Sequence, residues 1–201
     1  RFERARRGRE DSAKLYVFIG DLGRRGQTQN LMFGPFGPGM PDDQFGGPMP
    51  DDAHLSGVIL RLNDDGSIPS DNPFHGFGST LVRAGLVEIG ENIQSMFAYG
   101  MRNGFGMAID PKSGDLWCEE NGDDSFSEIN RVEPGFNGGW IQIMGPVTRI
   151  DEFKAIETGQ INPNYEGMQQ TRWPPSLIAD TPGDALMRLF DVPGSRYTDP
   201  V

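Results

Sequence analysis

The stretch Tyr99 to Asn130, YGMRNGFGMAIDPKSGDLWCEENGDDSFSEIN, decides how this chain reads. Two short β-rich runs, Gly106 to Asp110 and Asp115 to Glu119, flank Pro111-Lys112-Ser113-Gly114. Pro fixes the entry of a tight turn and Gly relieves its exit, so the runs are expected to pair as neighbouring strands. Glu128 to Val132 reads as a further strand, and Trp140 to Met144 as another. Upstream, Ser95 to Tyr99 and Gly57 to Asn63 (GVILRLN) have the same character. The second of these stops at Asp64-Asp65-Gly66, a hairpin-turn signal. Lys14 to Asp21 (KLYVFIGD) is the first strand, and the clearest helix lies near Thr148 to Glu157.

Many short strands divided by turns indicate an all-β fold: a sandwich, a barrel or a β-propeller. Lys14-Leu15-Tyr16 ending in Gly20-Asp21 is echoed by Asp115-Leu116-Trp117 ending in Gly122-Asp123, which favours the propeller. At four strands and roughly 50 residues per blade, the chain holds roughly three to four blades, a partial ring. Residues 1–201 then form part of a single propeller domain. Two stretches stand apart: the atypical Arg-rich start, residues 1–13, and residues 24–53, a long Gly/Pro/Asp-rich insertion without periodicity. A loop of that length in a compact fold is functional or disordered.

Composition excludes several roles. Lys and Arg number 18 against 29 Asp and Glu, a formal charge of −11 that would repel nucleic acid and anionic membranes. No apolar run approaches the roughly 20 residues of a membrane span, and the basic start has no apolar segment behind it to make a secretory signal. Gly (28) and Pro (16) are abundant, as a turn-rich fold requires. The single cysteine, Cys118, excludes an internal disulfide and reads as a packed side chain in a strand. Trp117, Trp140 and Trp173 read as packing aromatics, and Met96, Met101 and Met107 as core filling.

Two constellations carry chemistry. Arg102-Asn103 places a forked cation and an amide at a strand end, suited to an anionic planar ligand, with an ordinary surface arginine as the competing reading. Glu119-Glu120-Asn121-Gly122-Asp123-Asp124, with Glu128 beyond, offers carboxylates and carbonyls to a hard cation, against the alternative of a solvated acidic turn. His54 and His75 read as loop histidines, and Asp21 as a turn residue.

Taken in order, these phrases resemble the quinoprotein glucose and sorbosone dehydrogenases, the aldose sugar dehydrogenases. The matching segments are Gly20-Asp21-Leu22-Gly23, Gly57 to Asn63, Asp64-Asp65-Gly66-Ser67-Ile68-Pro69 and Asp71-Asn72-Pro73-Phe74. They continue with Tyr99-Gly100-Met101-Arg102-Asn103, Glu120-Asn121-Gly122, Ser127-Glu128-Ile129-Asn130 and Asn137-Gly138-Gly139-Trp140. The resemblance implies a six-bladed propeller and oxidation of aldoses at the anomeric carbon to lactones, by hydride transfer to pyrroloquinoline quinone (PQQ). It implies that Arg102 and Asn103 contact the quinone, Arg102 supporting its charge. It implies that Gly122 and Asp123 offer carbonyls to a calcium ion, and that Glu128 matches a ligand of a further, structural calcium. The implied partners are a sugar substrate and an electron acceptor, and the implied location is periplasmic or secreted.

The sequence departs from the family at three places. The family's general-base histidine precedes the strand matching Lys14 to Asp21, whereas Arg1 to Asp11 here contains none. Position 127 is Ser where Asp is common, and position 123 is Asp where Pro is common. The chain is therefore expected to be an internal piece, lacking part of the active site and inactive alone. Two other classes share these features: a calcium-dependent propeller lactonase and a non-catalytic carbohydrate-binding propeller.

Overall fold

A computed structural model describes residues 2–3, 13–20, 55–122, 126–140, 142–157, 178–189 and 192–201. The insertion at residues 24–53, and Asp21, His54, Asp123 and Trp173, lie outside them. The described chain forms two open sheets and four α-helices.

The larger sheet contains β1 (Phe2–Glu3), β2 (Lys14–Ile19), β3 (Val58–Asn63), β4 (Met96–Tyr99), β8 (Phe136–Asn137) and β9 (Arg196–Tyr197), in that order. Between β2 and β3 the pairing is antiparallel, with Val17 opposite Leu60 and Ile19 opposite Val58. Alternation along a strand sends neighbours to opposite faces. Val58, Leu60, Met96 and Tyr99 pack with Phe74 and Ile93 on the helical side. Tyr16, Ile59, Phe97 and Ala98 turn the other way, into a cluster shared with the smaller sheet. A strand buried on both faces explains why β3 begins as an unbroken apolar run.

The smaller sheet is β5 (Gly104–Ile109), β6 (Leu116–Glu120) and β7 (Glu128–Val132), antiparallel throughout. The expected turn at 111–114 closes it: Asp110 N–H donates to Asp115 O at 2.9 Å, and Gly114 takes φ +82°. On β6, Leu116, Cys118 and Glu120 point inward while Glu119 faces out. A third cluster gathers Trp140, Ile143, Met144, Ile150, Phe153, Ile178 and Ala185 around α3 (Ile150–Glu157) and α4 (Pro182–Arg188).

Several expectations are corrected. The described residues are mostly sheet, as expected, but α1 (His75–Arg83) and α2 (Val87–Ser95) add a helical pair over the first sheet. The turn at Asp64-Asp65-Gly66 forms, with Gly66 at φ +84°, yet no hairpin follows. The chain runs on into α1, and the next partner of β3 is β4. Trp140 and Gln142 to Met144 do not form the expected strand. Gln142 and Ile143 N–H both donate to Gly139 O, at 2.8 and 3.1 Å, so the backbone turns and buries Trp140, Ile143 and Met144 together. The echo between β2 and β6 is also out of phase: Tyr16 is buried where Trp117 is half-exposed. The expected helix near Thr148 to Glu157 is present as a 3-10 turn, Val147–Arg149, running into α3.

Candidate functional site

Four chain segments meet at one end of the two sheets: Gly20 after β2, the Gly100–Asn103 link between β4 and β5, Glu120 to Gly122 at the end of β6, and Glu128 opening β7. Gly100 turns the link at φ +73°. Met101 N–H then donates to Gly57 O at 3.0 Å, anchoring the link to the first sheet. The side of Asn103 is set by close packing. A methyl at Gly20 would lie 3.0 Å from Asn103 Oδ1, and one at Gly104 would lie 3.0 Å from the Phe18 ring.

Three hydrogen bonds fasten Arg102-Asn103 to the end of β6. Arg102 N–H donates to Glu120 Oε2 at 3.0 Å, and Asn121 N–H donates to Asn103 O at 3.0 Å. The Arg102 guanidinium donates to Asn121 O at 2.8 Å and its Cζ stands 5.6 Å from the centre of the Trp140 ring. A guanidinium over an indole face gains cation–π attraction in addition to its hydrogen bonds. The cation read from sequence is thus held in a defined place, and Trp140, expected only to pack, also serves as its platform.

Beneath this turn lies a buried acidic pair. Glu120 and Glu128 are opposite one another across β6 and β7, and both are buried. Glu128 accepts from Asn130 Nδ2 at 2.9 Å and from Gly145 N–H. Burial, followed by the charge of Glu128 and a hydrogen bond to it, holds the Glu120 carboxyl well above the usual carboxylate range. Two carboxyls in one dry site share a proton or neutralise against a cation. Burial beside Glu120, Glu119 and Glu128 also pushes the Cys118 thiol up to about 12. From sequence Glu120 reads only as one carboxylate of the acidic stretch; its phase with Leu116 and Cys118 on β6 is the signal for its burial.

Gly122 is buried, and a methyl there would collide with the Phe126 main chain, 1.8 Å from its carbonyl oxygen. The Phe126 ring in turn lies 4.6 Å from Arg149 Cζ. Asp123, its partner in the expected calcium site, is outside the described residues. Among the described residues no three His, Cys, Asp or Glu side chains converge to hold a metal. Asn121 Oδ1 is nevertheless a buried acceptor with no donor, next to Gly122, and Glu120 Oε1 has only the Glu128 carboxyl to share a proton with. Oxygen acceptors lacking donors fit a hard cation, and the fixed guanidinium with Asn103 fits an anionic planar group. His75 opens α1 on the helical side of the first sheet.

Residues 39–186 match the sequence profile of the glucose/sorbosone dehydrogenases. The chain belongs to this family. It is 40% identical over 86 residues to the aldose sugar dehydrogenase of Escherichia coli, a match covering 43% of this chain and 20% of that protein. It is 36% identical over 135 residues to quinoprotein glucose dehydrogenase B of Acinetobacter calcoaceticus, covering 66% of this chain and 24% of that one. The chain therefore spans about a fifth to a quarter of the length of these family members. The solved PQQ-bound aldose sugar dehydrogenase of Streptomyces coelicolor aligns over 66% of this chain and 28% of its own, at 29% identity. That overlay has a TM-score of 0.43, too low to carry weight. No helix among the described residues is long and apolar enough to cross a membrane.

Proposed function

We propose that this chain forms part of a PQQ-dependent sugar dehydrogenase that oxidises aldoses at the anomeric carbon to lactones. The observation that carries the reading is the clamped Arg102-Asn103 turn above a buried carboxyl pair, in a chain of the glucose/sorbosone dehydrogenase family. The names of the E. coli and Acinetobacter relatives support the sugar and the quinone respectively. The two open sheets would be a section of a propeller ring, so the activity belongs to a longer protein.

When bound, the quinone supplies the two-electron acceptor for hydride leaving the sugar. Arg102 and Asn103 would hold it, the Arg102 guanidinium offsetting the negative charge that grows on reduction. Trp140 and Asn121 O keep that guanidinium from swinging into solvent, so little reorganisation is needed when the charge appears. Gly122 and Asp123 would present backbone carbonyls to calcium, and Glu128 would serve the further, structural calcium. The base that accepts the sugar's hydroxyl proton is a histidine in the family.

The test is dye reduction by the full-length protein with a panel of aldoses, with and without PQQ and calcium. The reading requires turnover that depends on both, and a large loss of turnover in Arg102→Ala. A folded protein that binds neither quinone nor aldose contradicts it.

A further inference from the structure

Glu120 closes β6 with a fully buried side chain. An ionisable group in that position costs stability unless its oxygens have work that an apolar residue cannot do. One of its oxygens has such work. The β5–β6 ladder is irregular between Gly104 and Gly106, and Arg102 precedes it, so the Arg102 N–H lies beyond the regular pairing. Glu120 Oε2 accepts that N–H at 3.0 Å. The next residue completes the clamp through its backbone, Asn121 N–H holding Asn103 O and Asn121 O holding the Arg102 guanidinium. Of these three bonds, the one to Glu120 is the one in which β6 contributes a side chain, and so the one that a substitution on β6 can remove.

We propose that Glu120 is a positioning residue for quinone binding, its carboxyl oxygen fixing the Arg102 main chain so that the guanidinium is presented to the cofactor. This rests on the reading of Arg102 as a quinone contact and deepens it. Two conservative replacements separate positioning from a need for an ionisable group. Glu120→Gln keeps an acceptor oxygen at the same reach and loses the carboxyl. Glu120→Asp keeps the carboxyl and withdraws its oxygens by one methylene. Neither creates a large cavity, so both variants are expected to fold.

PQQ affinity is measured by spectral titration of the full-length apo-protein at saturating calcium, with thermal unfolding recorded for each variant. Glu120→Asp is expected to weaken binding about tenfold, the scale of one lost buried hydrogen bond. Glu120→Gln is expected to stay close to wild type. In an Arg102→Ala background Glu120→Asp should add nothing, because residues acting as one unit do not add. Affinity retained by Glu120→Asp, or losses that add with Arg102→Ala, would overturn the proposal. If Arg102→Ala itself leaves affinity unchanged, the quinone reading of Arg102 fails, and the positioning role falls with it for that separate reason.

Discussion

Gly78 and Gly90 sit where α1 and α2 cross, and replacing Gly78 with Ala sets two effects against each other. Alanine in a helix interior is favoured over glycine by up to about 1 kcal/mol. The added methyl would stand 2.4 Å from Gly90 O and 2.6 Å from Gln94 Cγ. Gln94 can swing aside, but a carbonyl in the facing helix cannot. Ordinary contact begins near 3.4 Å, so the helices would have to part by about 1 Å. That separation loosens Phe77, Leu81, Ile89 and Ile93 against the first sheet. Overpacking of this kind costs about 1–3 kcal/mol, so the clash outweighs the propensity gain and Gly78→Ala should lose up to about 2 kcal/mol net. Gly76, in the same helix with nothing within 4 Å, supplies the control: Gly76→Ala should be neutral or stabilising. Urea unfolding of the two variants beside wild type measures both. Because α2 runs directly into β4, and β4 into the Arg102 link, Gly78→Ala should also weaken quinone binding. A Gly78→Ala protein as stable as Gly76→Ala would refute the close-packed helix crossing.

The remaining predictions concern ionisable groups. With its thiol held at about 12, Cys118 should be almost wholly protonated at pH 8 and unreactive to Ellman's reagent until the protein is denatured. Rapid labelling of the folded protein would contradict its burial. Arg61 holds Asp71 through two bonds of 2.9 and 3.0 Å, which lowers the Asp71 pKa. Its contribution is present above the ordinary carboxylate range and is lost as pH falls through the lowered value. Asp71 is 68% exposed, so the pair is worth at most about 1 kcal/mol. Asp71→Asn should lower the urea midpoint slightly at pH 7, with the gap closing in strong acid; a gap that widens in acid reverses the assigned sign.

The smaller sheet was the more legible because burial alternates along β6 and β7. Leu116, Cys118 and Glu120 inward against Glu119 outward is a period of two that needs no tertiary knowledge. The α1–α2 pair was not legible. Gly76, Gly78, Ser79 and Thr80 depress helix propensity in α1, and Gly90 does so in α2. What stabilises the pair is contact between its glycines and packing on the first sheet, through Phe77 and Leu81 and through Ile89 and Ile93. Those pairs, four residues apart, were the missed signal. Trp140 to Met144 misled because an apolar run suits a strand or a tightly buried turn equally, and Gly139 at φ +89° decides for the turn. Arg102, Asn103, Gly122 and Glu128 could be marked from sequence. The contact between Arg102 and Trp140 could not, since it depends on Trp140 N–H reaching back to Gly100 O at 2.9 Å.

The central claim is that Arg102-Asn103 belongs to a quinone site at which a sugar is oxidised. Its most direct test is to load the full-length protein with PQQ and calcium, remove oxygen, and add an aldose with no dye present while following the spectrum of the bound quinone. The account predicts conversion to the reduced spectrum in one stoichiometric step, with lactone formed in equal amount, and a failure of Arg102→Ala to retain the quinone. A quinone that binds yet stays oxidised with every aldose, or binds equally well to Arg102→Ala, would contradict it.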